Sequence, residues 1–127
     1  MNFLAPYTAE FYAAFRIIFG LMFASHGAQK VFGAFGGERA VTAVPMLAGW
    51  IELVCGLLIL LGLFTGIAAF IAAGEMAVAY FWVHTAMGWW PLTNDGEPSV
   101  LFCFAFLYMA ARSSGAYSVD GARRRAT

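Results

Sequence analysis

Charged residues are scarce in this chain: seven Lys or Arg and seven Asp or Glu, together 11% of 127 residues. A soluble domain carries about 25% charged residues, and less than half of that proportion cannot cover a globule with solvated groups. We therefore expect lipid to form part of the solvent. The charges also balance to zero, which leaves no basic surface for nucleic acid. Nucleic-acid binding is excluded as a function.

Side chains that bind metals are also few. The sequence has two cysteines and two histidines, and neither pair has the spacing of a metal-ligand motif. We expect no metal site and no covalently bound cofactor. Cys55 and Cys103 are expected to be free thiols that pack as small apolar side chains. With no haem motif and no Cys cluster, the chain has few means of carrying electrons by itself, so electron transfer would need a partner.

Long apolar segments are abundant, since 62% of the residues are hydrophobic. About 20 apolar residues cross the hydrocarbon core of a bilayer. The run from 44 to 83 is about twice that length, and the glycines of Gly62-Leu63-Phe64-Thr65-Gly66 allow it to turn back. A fourth run follows Pro98 and is short for a crossing. We predict an all-α, polytopic membrane four-helix bundle, with transmembrane helices at about residues 8–27, 46–63, 66–84 and 98–112.

The distribution of basic residues predicts the orientation. Four crossings place both termini on one side, where Arg112 and Arg123–Arg125 outnumber Lys30 and Arg39 of the opposite loops. Because cytoplasmic loops are enriched in Lys and Arg, we expect cytoplasmic N- and C-termini in the bacterial inner membrane. Residues 113–127 then form a cytoplasmic tail, in which the part beyond Asp120 is a candidate for disorder.

Three charged side chains, Arg16, Glu52 and Glu75, interrupt the apolar segments. A lone charge in the membrane costs about 2.5–3.5 kcal/mol, so we expect these three to meet in an intramembrane cluster. One arginine against two carboxylates leaves excess negative charge, and we expect one of them, Glu75 in preference, to take a proton. Two interpretations stay open: a structural pin between helices, or a proton-exchange site with Glu52, Glu75 and His26 as candidate groups.

A second polar set is predicted at the outer interface of the membrane. A histidine there can pass protons between water and a buried carboxylate or donate to a quinone carbonyl. It can equally lie among lipid headgroups without any chemistry. The members of this set are His26, Lys30, His84, Asn94 and Glu97.

Several short motifs follow one another in a characteristic order. They are Arg16 with Gly20, His26-Gly27-Ala28-Gln29-Lys30, Glu52-Leu53-Val54-Cys55-Gly56, Gly62-Leu63-Phe64-Thr65, Met76, Asn94-Asp95-Gly96-Glu97 and Gly115-Ala116-Tyr117-Ser118-Val119-Asp120. With them the chain resembles the DoxX family nearly end to end. The resemblance implies a four-helix protein of the bacterial inner membrane, and the family's namesake is the small subunit of an archaeal quinol-linked oxidoreductase. Glu75 is not part of the family's pattern.

Three hypotheses for the function remain. The first is an accessory subunit of a quinone-linked redox complex, with protein partners in the membrane. The second is a stand-alone enzyme or carrier, alone or as a homo-oligomer, that binds quinone or another lipid-like substrate between its helices. The third is a purely structural subunit.

Overall fold

All regular elements in residues 2–127, the part of the chain that the computed structural model describes, are helical. The all-α class is confirmed. Three segments, Ala5–Phe32, Ala43–Leu61 and Thr65–Met87, are long and apolar enough to cross a membrane. The α-helices are α1 (Thr8–Phe32), α2 (Ala43–Leu61), α3 (Thr65–Trp82), α4 (Glu97–Arg112) and α5 (Val119–Ala126). Short 3-10 turns precede α1 and lie between α1 and α2 and between α3 and α4.

The helices extend beyond the apolar runs in two places. α1 ends at Phe32 instead of residue 27, where Gly33 adopts a left-handed conformation with φ 69° and donates its N–H to the carbonyl of Gln29 at 2.8 Å. The second place is the tail. The segment beyond Asp120, which we expected to be disordered, is helical to Ala126.

The turn between α2 and α3 lies where the sequence predicts it. Gly62 ends α2 with φ 70°, and α3 begins two residues after Leu63. A side chain at Gly62 would overlap Ser118 and lie 2.7 Å from Nη1 of Arg16. Both the left-handed backbone and the lack of space therefore require glycine at this position.

Small residues hold α1 and α2 in backbone contact. A Cβ added to Gly20 would lie 2.6 Å from the backbone N of Leu60, and one added to Gly56 would overlap the backbone of Ala24. Close approach of this kind is how membrane helices associate, because lipid removes the hydrophobic drive between them. The contact fixes the register of the α1–α2 pair.

Aromatic rings, by contrast, keep α4 at a distance from α1. The ring of Phe23 contacts those of Phe102 and Phe106, with centroids 5.6 and 4.7 Å apart, and Phe19 also contacts Phe102. α3 packs beside α4 with buried alanines, including Ala69 and Ala72. We call the end of the bundle that carries both chain termini the terminal end, and the opposite end the distal end.

The glycine contact predicts a difference between two alanine substitutions. G56A forces α1 and α2 apart, which costs about 1–3 kcal/mol. G74A, in α3, adds a methyl group with no atom within 4 Å and gains up to about 1 kcal/mol of helix propensity. We expect the thermal midpoint in detergent to fall for G56A and to hold or rise for G74A. Equal midpoints would contradict the backbone contact.

Candidate functional site

The register of α1 against α2 separates the charged residues of these two helices. Gly20 lies level with Gly56 and Leu60, and Gly27 with Gly49 and Leu53. Arg16 is therefore level with the end of α2, whereas Glu52 is level with the residues beside Gly27. Ten residues of helix, about 15 Å, separate the two levels.

Arg16 binds backbone carbonyls at the terminal end. Its side chain is fully buried, and Nη1 donates to the carbonyls of Ile59 at 2.7 Å and Leu60 at 2.8 Å. Nη2 donates to the carbonyl of Tyr117 at 2.7 Å. The last carbonyls of a helix have no intrahelical donor and carry partial negative charge. Arg16 thus joins α1, the end of α2 and the C-terminal segment.

The expected cluster of Arg16 with Glu52 and Glu75 does not form. Within residues 2–127, no ion pair joins Arg16 to a carboxylate. Two physical reasons explain the correction. α1 continues to Phe32, so the distance from Arg16 to the distal end of the helix is longer than the apolar run, which ends at about residue 27, indicates. Helix-end carbonyls also satisfy its charge, so it needs no carboxylate.

The cation beside Glu52 is Lys30. Its Nζ lies 2.6 Å from Oε1 of Glu52, and the two side chains are 35% and 3% exposed. Lys30 reaches Glu52 because α1 continues past the apolar run by more than a turn. Oε2 of Glu52 is buried and has no hydrogen-bond partner in the described part of the chain. One carboxylate oxygen is thus paired and the other is free.

A cavity of about 290 Å³ opens beside this ion pair between the four longer helices. We call it the distal cavity. The structure brings His26, Lys30 and His84 of the predicted outer set together here with Glu52, while Phe23, Met76 and Phe102 form apolar walls. The remaining polar lining comes from Asp95 and Ser99. Ser99 was missed in the sequence, although its position in the first turn of α4, directly after Pro98, is a signal that could have found it.

Asn94 positions this site without lining it. The residue is fully buried; its Oδ1 accepts from the N–H of Gly96 at 2.8 Å, and Nδ2 donates to the carbonyl of Gly88 at 2.8 Å. Nδ1 of His84 lies 3.1 Å from the carbonyl of Asn94. Because a carbonyl only accepts, Nδ1 carries the proton and Nε2 stays available for another partner. Glu97 is exposed at the start of α4 and does not line the cavity.

Glu75 lies apart from the distal cavity, in a groove between α2 and α3. The groove has a volume of about 500 Å³, and Lys30 forms part of its wall as well. We call it the lateral groove. Oε2 of Glu75 is buried without a hydrogen-bond partner among residues 2–127. The structure therefore separates the two glutamates into two environments.

Comparison with known proteins gives two matches. A family model described as DoxX matches residues 11–85. An uncharacterized protein of Haemophilus influenzae is 42% identical in an alignment of 129 positions, which spans 94% of this chain and 96% of the relative. No solved structure shows a significant match. Arg16, Lys30, Glu52 and Glu75 all fall within the residues that the family model matches.

The contacts of Arg16 predict that lysine cannot replace it. R16K keeps the charge, but one ammonium cannot reach carbonyls of both α2 and the C-terminal segment. We expect a loss of about 2 kcal/mol or more, since buried carbonyls lose their donor. The measurements are the thermal midpoint in detergent and the rate of tryptic cleavage at Arg123–Arg125, which should rise. R39K, in an exposed loop, is the matched control. A cleavage rate for R16K equal to that of R39K would contradict the role of Arg16.

Proposed function

Because the chain belongs to the DoxX family of membrane proteins, we propose that it binds a quinone head group in its distal cavity as an accessory subunit of a membrane redox complex. The observation that carries this proposal is the convergence of the Lys30–Glu52 ion pair, His26 and His84 on one cavity between the helices. Ligand sites in helical bundles are built in this way, from side chains that converge from neighbouring helices.

The proposed location is the bacterial inner membrane, with four crossings and both termini in the cytoplasm. α4 has 16 residues, about 24 Å, and packs along α3, so a modest local thinning of the bilayer lets it cross. Trp82, Trp89 and Trp90 are exposed toward the distal end, as is typical of side chains at a membrane interface. The basic residues of α5 supply positive charge at the terminal end. The distal cavity would then open toward the periplasm.

The residues around the distal cavity fit a quinone head group. Such a group is a flat ring with two carbonyl acceptors, and it needs donors on a largely apolar wall. Lys30 is a donor, and Nε2 of His84 can donate when the ring is protonated. Phe23 and Phe102 provide aromatic walls for the ring. The unpartnered Oε2 of Glu52 is the orphaned buried atom that a protonated ligand oxygen would satisfy.

The chemistry that a bound quinone supplies is reversible two-electron transfer with the uptake or release of two protons. Glu52 can hold or release one of these protons at its free carboxylate oxygen, while Lys30 balances the charge at the other oxygen. His26 is exposed and also lines the cavity, so it connects the ion pair to water. The electrons come from a partner subunit in this proposal.

The orientation can be tested by thiol labelling in whole cells. In a C55A/C103A background, T93C and T127C place single thiols at exposed positions on opposite ends of the bundle. We expect a membrane-impermeant maleimide to label T93C in intact spheroplasts and T127C only after permeabilisation. Labelling of both in intact cells, or the reverse order, would contradict the proposed topology.

Quinone binding can be measured with decylubiquinone and purified protein in phosphatidylcholine nanodiscs. We expect saturable binding that K30Q/E52Q weakens about 10-fold or more, since the variant removes charge-assisted hydrogen bonds from the cavity. Removing both partners together avoids an unpaired buried charge, so the fold should persist. E10Q/R39Q removes the same charges from exposed positions and is the matched control. Equal affinity of the two variants would contradict the proposed site.

Purification from native membranes in mild detergent separates the accessory role from the alternative. Subunits that co-purify in a fixed stoichiometry support the accessory role. A monodisperse homo-oligomer that retains quinone supports a stand-alone enzyme or carrier.

A further inference from the structure

The lateral groove between α2 and α3 has an almost entirely apolar lining. Its walls include Leu47, Ile51, Val78 and Trp82, and its polar lining is limited to Lys30 and Glu75. Leu47, Val78 and Trp82 are exposed on the outside of the bundle, so the groove faces the lipid. A ligand could enter it sideways from the bilayer without passing through the distal cavity.

The charges around this groove do not balance. Lys30 contributes +1 and Glu52 and Glu75 contribute −1 each, a formal sum of −1. Lys30 lies 2.6 Å from Oε1 of Glu52, and no ion pair joins Glu75 to a cation within residues 2–127. Lys30 is the one cation among the residues that line the groove. A carboxylate in lipid without a cation is costly, so Glu75 needs either the proton that the sequence predicts or a cation bound in the groove.

We propose that the lateral groove is a second binding site, which takes a lipophilic alkylammonium ion. Its ammonium group donates N–H bonds to the carboxylate of Glu75, and its alkyl chain lies along the apolar wall. Trp82 adds an aromatic ring to the apolar wall along which the alkyl chain lies. This site is separate from the proposed quinone site, and neither proposal depends on the other.

The electrostatics favour a simple cation over a zwitterionic lipid headgroup. A phosphate attached to the ammonium would lie close to Glu75 and Glu52, and like charges in a medium of low dielectric repel strongly. Glu75 also lies seven residues before the distal end of α3 at Trp82, about 10 Å below it. An amphiphile with one positive charge and no phosphate therefore fits the groove.

Gly74 allows the groove to be filled without moving the helices. It lines the groove beside Glu75, and a Cβ at this position would have no atom within 4 Å. A large side chain here occupies the space of the alkyl chain and leaves the carboxylate intact. The chain thus offers one variant that removes the charge and another that removes the space.

The test uses radiolabelled dodecylammonium and purified full-length protein in phosphatidylcholine nanodiscs, with binding followed by scintillation proximity. We expect saturable binding to the wild type that E75Q and G74F each weaken about 10-fold or more. E10Q, at an exposed position of α1 near the terminal end, should bind as the wild type does. Dodecanol, which has the same chain and no charge, should not compete.

Wild-type affinity in E75Q would overturn the proposal, because the charge would then play no part. Wild-type affinity in G74F would overturn it as well, because the ligand would lie outside the groove. Thermal midpoints of both variants, measured in the same nanodiscs, verify that a loss of binding is not a loss of fold. Decylubiquinone binding should persist in E75Q, which separates failure of this site from failure at the distal cavity.

Discussion

The backbone contact between α1 and α2 determines where Arg16, Lys30 and Glu52 lie. Gly20 and Gly56 permit the contact only in one register, because a neighbouring residue with a side chain would collide with the facing helix. In that register Arg16 meets the last carbonyls of α2, and Lys30 meets Glu52. A shift by one residue would turn a helix by about 100° and remove both contacts. The packing of small residues therefore determines which charged groups of α1 and α2 can meet.

The two ends of the bundle consequently have different tasks. At the terminal end Tyr12 donates to the carbonyl of Ser113 at 2.6 Å, and the N–H of Asp120 donates to the carbonyl of Gly62 at 3.0 Å. Within residues 2–127, the buried atoms without a partner there are Nε of Arg16 and Oγ1 of Thr65, and neither belongs to a carboxylate. At the distal end Glu52 and Glu75 each keep a buried oxygen without a partner. Buried carboxylate oxygens without a partner cost stability, and a ligand or a proton can satisfy them. Chemistry is thus expected at the distal end, and the terminal end provides the stability that supports it.

The sequence predicted the helices better than it predicted the side-chain contacts between them. Helix type and the turn at Gly62 follow from apolar run length and glycine chemistry, which are local properties. The partner of Arg16 was not predictable in this way, because it depends on helix register and on carbonyls that have no side-chain signature. Lys30 was assigned to the interface because the apolar run ends near Ala28, yet the helix continues to its cap at Gly33. Hydrophobicity sets where lipid ends, whereas capping sets where a helix ends.

Lys30 borders both the distal cavity and the lateral groove. Together with Ala79 and Val83 it forms a wall common to the distal cavity and the lateral groove. Its ammonium pairs with Glu52, and Glu75 lines the lateral groove together with it, so one cation borders two carboxylates. A cation in the groove would neutralise Glu75 and leave Lys30 to Glu52, whereas an empty groove leaves two carboxylates to one cation. If both proposed sites bind their ligands, occupancy of the groove changes the charge that the distal cavity presents, and by thermodynamic linkage the reverse holds with the same coupling free energy.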